Sequence, residues 1–155
     1  ELGNQVDKNL LLKIYGSLTG EMPQFRKVNM ASQEFGHVPV HYSRVEEYVD
    51  TLIREVYKGD RSIIENASHL HCGIISIQPF DDYGSIIARM AMNYYLSENG
   101  IPPVQLGYSH DEYIRTMKEC MRNNNEGLFV RGLERAVYNK LEVVLQITAS
   151  SSDIG

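Results

Sequence analysis

The sequence predicts an all-α protein, a single helical bundle interrupted by one short β-hairpin. Three observations carry that expectation. Apolar residues recur at helical spacing over most of the 155 residues. Two helix starts are marked by a hydroxyl residue followed three positions later by glutamate, the pattern that satisfies free amides at a helix N-terminus. Only Phe25 to Val40 alternates in short steps, and its Gly36 and Pro39 suit a hairpin or an extended flap. The length fits one domain with a real core, which we place over residues 1–148, leaving 149–155 as a flexible tail around Ala149-Ser150-Ser151-Ser152.

Asn9 to Leu18 carries clustered apolar residues and should end as a helix near Gly20. Ser43-Arg44-Val45-Glu46 spells a capping box and opens a helix with Val45, Val49, Leu52, Ile53 and Val56 on one face. Ser62-Ile63-Ile64-Glu65 repeats the signal, and the helix behind it turns Ala67, Leu70, Ile74 and Ile77 inward. After a polar break from Gln78 to Ser85, Ile87, Met90, Ala91, Tyr94 and Tyr95 follow at helical spacing. Gly100 with Pro102-Pro103 then makes a conventional stop. Ser109 to Glu112 begins another helix. Beyond Asn123-Asn124-Asn125, a last helix sets Phe129, Leu133, Val137, Leu141 and Val144 toward the core. Met92 and Met117 fit core filler better than a cofactor box.

Composition narrows the function classes. A net charge of −5 with scattered Lys and Arg argues against a general nucleic-acid or anionic-membrane partner, because phosphate binding rests on a basic surface. The two cysteines, Cys72 and Cys120, give neither metal spacing nor a disulfide framework, and we expect two small buried or half-buried thiols. No apolar stretch is long enough to span a membrane, and the N-terminus lacks a signal-peptide pattern. The chain begins with Glu1 rather than Met, so a fragment of something longer is expected. Asn66-Ala67-Ser68 spells a glycosylation sequon, but in mid-helix it carries no weight.

The chemistry concentrates between the third and fourth expected helices. A polar loop running straight into a helix offers free amides and a positive dipole end, which together favour an anion. Ile77-Gln78-Pro79-Phe80-Asp81-Asp82-Tyr83-Gly84-Ser85-Ile86-Ile87-Ala88-Arg89 resembles the Fic signature HPFxDGNGRxxR, agreeing at Pro79, Phe80, Asp82 and Arg89. The surroundings resemble the family too: Phe25-Arg26-Lys27-Val28 its arginine-containing strand, Gly36-His37-Val38-Pro39 its target-docking flap, and Asn99-Gly100-Ile101-Pro102-Pro103 the ending of its motif helix. The similarity runs from about Leu10 to Leu145, and it implies a Fic (Fido) bundle with a hairpin flap.

Such domains transfer a nucleoside monophosphate, most often AMP, from a triphosphate to a hydroxyl of a target protein. The resemblance implies a histidine base at the position of Gln78, and an amide cannot take a hydroxyl proton at useful pH. The small Gly-Asn-Gly turn that admits donor phosphates is replaced by Tyr83, Gly84 and Ser85, and the phosphate-binding arginine by Ile86. Asp82 aligns with the magnesium ligand and Arg89 with the second arginine. Each also has a plain structural use: Asp82 as a cap for the next helix, Arg89 as a partner of Asp81 or Asp82. The degenerate nucleotide site would comprise Phe80, Asp82, Gly84, Ser85 and Arg89, with Mg2+ and a nucleoside triphosphate as cofactors if the pocket works.

His69 and His71, about two turns back on the delivering helix, and Asp81 are the candidates for a substitute base. His37 and His41 are expected to shape the hairpin. A hydroxyl-to-glutamate spacing from Ser17 to Glu21 resembles the family's inhibitory pattern and is read as coincidence. Three functions follow: a non-catalytic Fic domain that binds a partner protein through Gly36, His37 and Val38, a divergent transferase using another donor, or a helical module whose role lies elsewhere. The first is preferred, because base, turn and arginine are lost together. The family implies action in the cytoplasm, of its own cell or of a host cell.

Overall fold

The computed structural model describes residues 5–31 and 34–153. Six helices form the bundle among these residues: α1 (Lys8–Thr19), α2 (Val45–Val56), α3 (Ile63–Ile77), α4 (Gly84–Glu98), α5 (His110–Asn123) and α6 (Gly127–Ser152). A 3-10 turn at Tyr42–Arg44 precedes α2. The helix α3 lies at the centre and packs against α2, α4, α5 and α6, while α1 closes the side formed by α2 and α4. Ala67, Leu70, Ile74 and Ile77 all face inward. The Leu52 side chain of α2 packs onto the bare backbone of α3 at Gly73, where a Cβ would sit 2.4 Å from Leu52 Cδ1.

Local chemistry sets most helix starts. Asp7 accepts from the Leu10 amide and opens α1, and Gly20 closes it in the left-handed region at φ 72°. Ser62 with Glu65 and Ser109 with Glu112 form complete capping boxes on α3 and α5. The box expected at Ser43 does not form. His41 Nδ1 lies 2.7 Å from Ser43 Oγ and also accepts from the Ser43 amide, so Ser43 is held in the 3-10 turn and α2 starts without a side-chain cap.

Other expectations are corrected. Among the described residues Phe25 to Val40 contains no strand, only an isolated bridge residue at His37. The carbonyls of Val28 and Val40 receive the Arg26 guanidinium instead of a ladder partner. Ser32 and Gln33, where the hairpin would turn, lie outside the described residues. Ala149 to Ser152, expected as a flexible tail, continues α6. Phe129, Leu133 and Val137 are buried, but Leu141 and Val144 on the same stripe are exposed. On α4, Ile87, Ala91, Met92 and Tyr95 enter the core, whereas Met90 and Tyr94 stand outside it.

Candidate functional site: the loop between α3 and α4

The loop is seated by an unusually complete closure of the α3 C-terminus. A helix leaves its last carbonyls without partners and carries partial negative charge there, so a cation is well placed to cover them. Arg26, only 4% exposed, does this. Its Nε donates to Gln78 O at 2.6 Å and one terminal nitrogen donates to Ile77 O at 3.2 Å. Its backbone amide donates to Pro79 O at 2.9 Å. His37 Nε2 donates to the Ser76 carbonyl at 3.0 Å. Burial pulls the Arg26 guanidinium below its usual range, with Asp81 opposing. The segment expected to be a target-docking flap therefore spends Arg26 and His37 on capping α3. Gly36 turns the chain at φ 69°, and Val38 is left 83% exposed.

Phe80 anchors the loop from below. Its ring stacks on Tyr15 at 4.5 Å and 6° and meets Phe25 at 5.5 Å. Between Ile77 and Phe80 sits Gln78, in the left-handed region at φ 47°. Its amide nitrogen completes α3 through Ile74 O, and its side-chain Oε1 is buried without a hydrogen-bond partner among the described residues.

The turn itself is open. Asp81 and Asp82 are exposed, and their charge is felt at Tyr15, whose phenol is pushed up chiefly by burial with Glu21, Asp81 and Asp82 adding. Tyr83 adopts φ 63°, a conformation glycine takes freely and a tyrosine takes at a cost of roughly 1 kcal/mol. The turn thus keeps a glycine-type backbone while carrying a large side chain. Asp82 does not cap α4: the residue at that position is Tyr83, and no side chain caps it. Arg89 does not pair with Asp81 or Asp82 either. Its guanidinium carbon lies 4.7 Å from the centre of the Tyr113 ring on α5. Tyr113 is buried and its hydroxyl lies 3.2 Å from His71 Nε2. Burial raises its pKa to about 12, against the lowering effects of a hydrogen bond with Ser85 and the charge of Arg89. Tyr113 was not singled out in the sequence; only its place on the buried stripe of α5 marks it there.

Neither helix histidine is free to serve the loop. His69 bridges two carboxylates, with Nε2 2.7 Å from Glu55 and Nδ1 2.8 Å from Glu126. Those hydrogen bonds, Glu126 first, raise its pKa against the opposing effect of burial. His71 is wholly buried and stacked on Phe129 at 4.4 Å, and burial drives its pKa down to about 3. Beside the loop, a cleft of about 430 Å3 runs along α4 and is lined by Ile86, Arg89, Met90, Asn93, Tyr94 and Pro103. Its floor is mostly apolar, with Arg89 as its one cation.

The family model described as "Fic/DOC family" matches residues 5–96, more than half of the sequence. The chain belongs to the Fic/DOC family. The fold agrees. Fic-1 from C. elegans superposes with a TM-score of 0.69 at 19% identity, covering 96% of this chain and 46% of that one. A Fic domain containing signaling protein from Bacteroides thetaiotaomicron gives 0.64 at 16% identity, covering 86% and 62%. Among curated proteins, a uridine 5'-monophosphate transferase from Xanthomonas campestris pv. campestris (strain 8004) is 45% identical over 40 residues, which is 26% of this chain and 8% of that protein. This Fic domain thus spans a small part of its curated relative and under half of the C. elegans structure. No helix among its described residues is long and apolar enough to cross a membrane.

Proposed function

We propose that this Fic domain no longer transfers nucleotides and acts by binding a partner protein. The observation that carries the reading is the base position. Gln78 is a neutral amide, and the two histidines nearest in sequence are committed elsewhere, His69 between Glu55 and Glu126 and His71 in the core. A positioned general base is worth roughly 10²–10⁴-fold in rate. Replacing the phosphate arginine by Ile86 removes charge-assisted contacts as well. The apolar lining of the α4 cleft and the exposed Val38 suit protein side chains better than a triphosphate. An extended partner segment pairing along Gly36, His37 and Val38 is the mode of contact we favour. The domain would work in the cytoplasm of its own cell or of a host cell.

A second reading, a divergent transferase, is favoured by the retention of Asp82 and Arg89 and by the local similarity to a uridine 5'-monophosphate transferase. Among the described residues no three His, Cys, Asp or Glu groups converge to hold a metal ion alone. Asp82, with Asp81 beside it, fits a Mg2+ shared with donor phosphates, the usual arrangement for this ion. Such an ion would neutralise phosphate charge when bound.

Calorimetric titration with ATP, UTP, GTP and CTP, with and without Mg2+, separates the two. The first reading expects no saturable binding. Magnesium-dependent binding that disappears in Asp82→Ala or Arg89→Ala overturns it in favour of the second.

A further inference from the structure

The two cysteines of the chain lie 48 residues apart on α3 and α5, yet the structure brings them together: Cys72 Sγ donates to Cys120 Sγ across 3.7 Å. Both thiols are free and buried. Both also line a cleft of about 330 Å3 between α2, α3 and α5, with His69, Gly73, Ser76 and Met121 around them. A disulfide requires a sulfur separation of about 2.05 Å. Cys72 and Cys120 need therefore close by under 2 Å.

We propose that Cys72 and Cys120 are a covalent modification site, forming a reversible disulfide by exchange with a low-molecular-weight disulfide such as oxidised glutathione. Cys120 is the attacking sulfur, because it accepts the Cys72 hydrogen bond and is the more exposed of the two, at 5% against 2%. Its thiolate attacks one sulfur of the small disulfide, forming a mixed disulfide and releasing one small thiolate. Cys72 then gives up its proton, attacks Cys120 Sγ and expels the second small thiolate. Two protein thiols are oxidised, one small disulfide is reduced to two thiols, and the two protons end on those products. The bond would tie α3, whose C-terminus delivers the Fic loop, to α5, whose Tyr113 lies under Arg89. It acts on the scaffold of the loop and is independent of whether the loop transfers nucleotides.

The test equilibrates the whole chain in graded reduced and oxidised glutathione, quenches with acid, alkylates the remaining thiols and measures intact mass. The proposal expects both thiols to disappear together, without a glutathione adduct. The effective concentration of one thiol toward the other should be at least about a hundredfold higher in the folded chain than in urea. The oxidised protein should melt about 10 °C higher than the reduced one, given the length of loop closed. Cys72→Ala, which leaves the attacking Cys120, should instead collect a single glutathione, and Cys120→Ala should collect it more slowly. Stepwise glutathione adducts on the unaltered chain, disulfide-linked dimers, or two thiols persisting at every ratio would overturn it. The unaltered chain decides the matter even if a variant fails to fold.

Discussion

The two halves of the motif loop have had different fates. From Ile77 to Phe80 the backbone is held, with the α3 carbonyls covered by Arg26 and His37 and Phe80 set between Tyr15 and Phe25, and only the Gln78 side-chain oxygen is left without a partner among the described residues. From Asp81 to Ile86 little is buried, and the core resumes only at Ile87 and Ala88. Asp81 and Asp82 face water, Tyr83 sits in a backbone conformation suited to glycine, and Arg89 rests on Tyr113 instead of a carboxylate. The first half supports the bundle, so a lost contact there leaves buried polar groups unpaired, at a cost of several kcal/mol. The turn from Asp81 to Tyr83 in the second half lies at the surface. A side chain there can change without unfolding the protein, and the sequence departs from the Fic signature at Gln78 on the boundary and then at Tyr83, Ser85 and Ile86, while it keeps Asp82 and Arg89.

The largest expected effect follows from breaking the held half. Arg26→Ala should cost about 3 kcal/mol or more in urea unfolding, because it orphans buried carbonyls at one stroke. Arg89→Ala, which removes an exposed cation from one ring face, should cost under about 1 kcal/mol. Comparable losses at the two arginines would erase the contrast.

The paired histidines of α3 sharpen it next, because they shift stability in opposite directions with pH. His71 has its folded pKa depressed to about 3. Its contribution is therefore present above the unfolded value near 6.5 and is lost as pH falls below it, at about 1.4 kcal/mol per pH unit. His71→Gln should flatten the stability profile between pH 6.5 and 5, whatever its overall cost. His69 has its folded pKa raised. Its contribution, on the order of 1 kcal/mol for a half-screened group, is present below 6.5 and lost as pH rises through the folded pKa. His69→Gln should flatten the limb above 6.5, and NMR titration of the two imidazoles reads both shifts directly.

At the open half the effect is smallest and of opposite sign. Tyr83→Gly should stabilise the domain by up to about 1 kcal/mol, since it relieves a left-handed tyrosine at the expense of a more flexible unfolded chain. A loss of stability would mean that the Tyr83 side chain makes contacts that hold the turn.

Much of the bundle was legible because its helices are written in local chemistry. Ser62 with Glu65 and Ser109 with Glu112 announce their helices, and the Leu70, Ile74 and Ile77 stripe announces the buried face of α3. Ser43 with Glu46 has the same letters but not the same structure, because His41 competes for Ser43. Leu141, Val144, Met90 and Tyr94 show a further limit: periodicity identifies a face, not whether another element covers it. In the site, the letters of the loop pointed to its family and to the positions where it departs from the signature. They did not give the Arg26 clamp, the Arg89–Tyr113 stack or the capture of His69 by Glu55 and Glu126, since each joins residues far apart in sequence.

The most direct test of the central claim, a kept scaffold with lost chemistry, is transfer of labelled monophosphate from each of the four α-labelled nucleoside triphosphates with Mg2+. The purified domain alone and a cell lysate serve as acceptors. No incorporation above that of Gln78→Ala, from a protein that unfolds cooperatively, is the predicted result. Incorporation from any donor that is abolished by Asp82→Ala would contradict it and make this an active Fic transferase with an altered base.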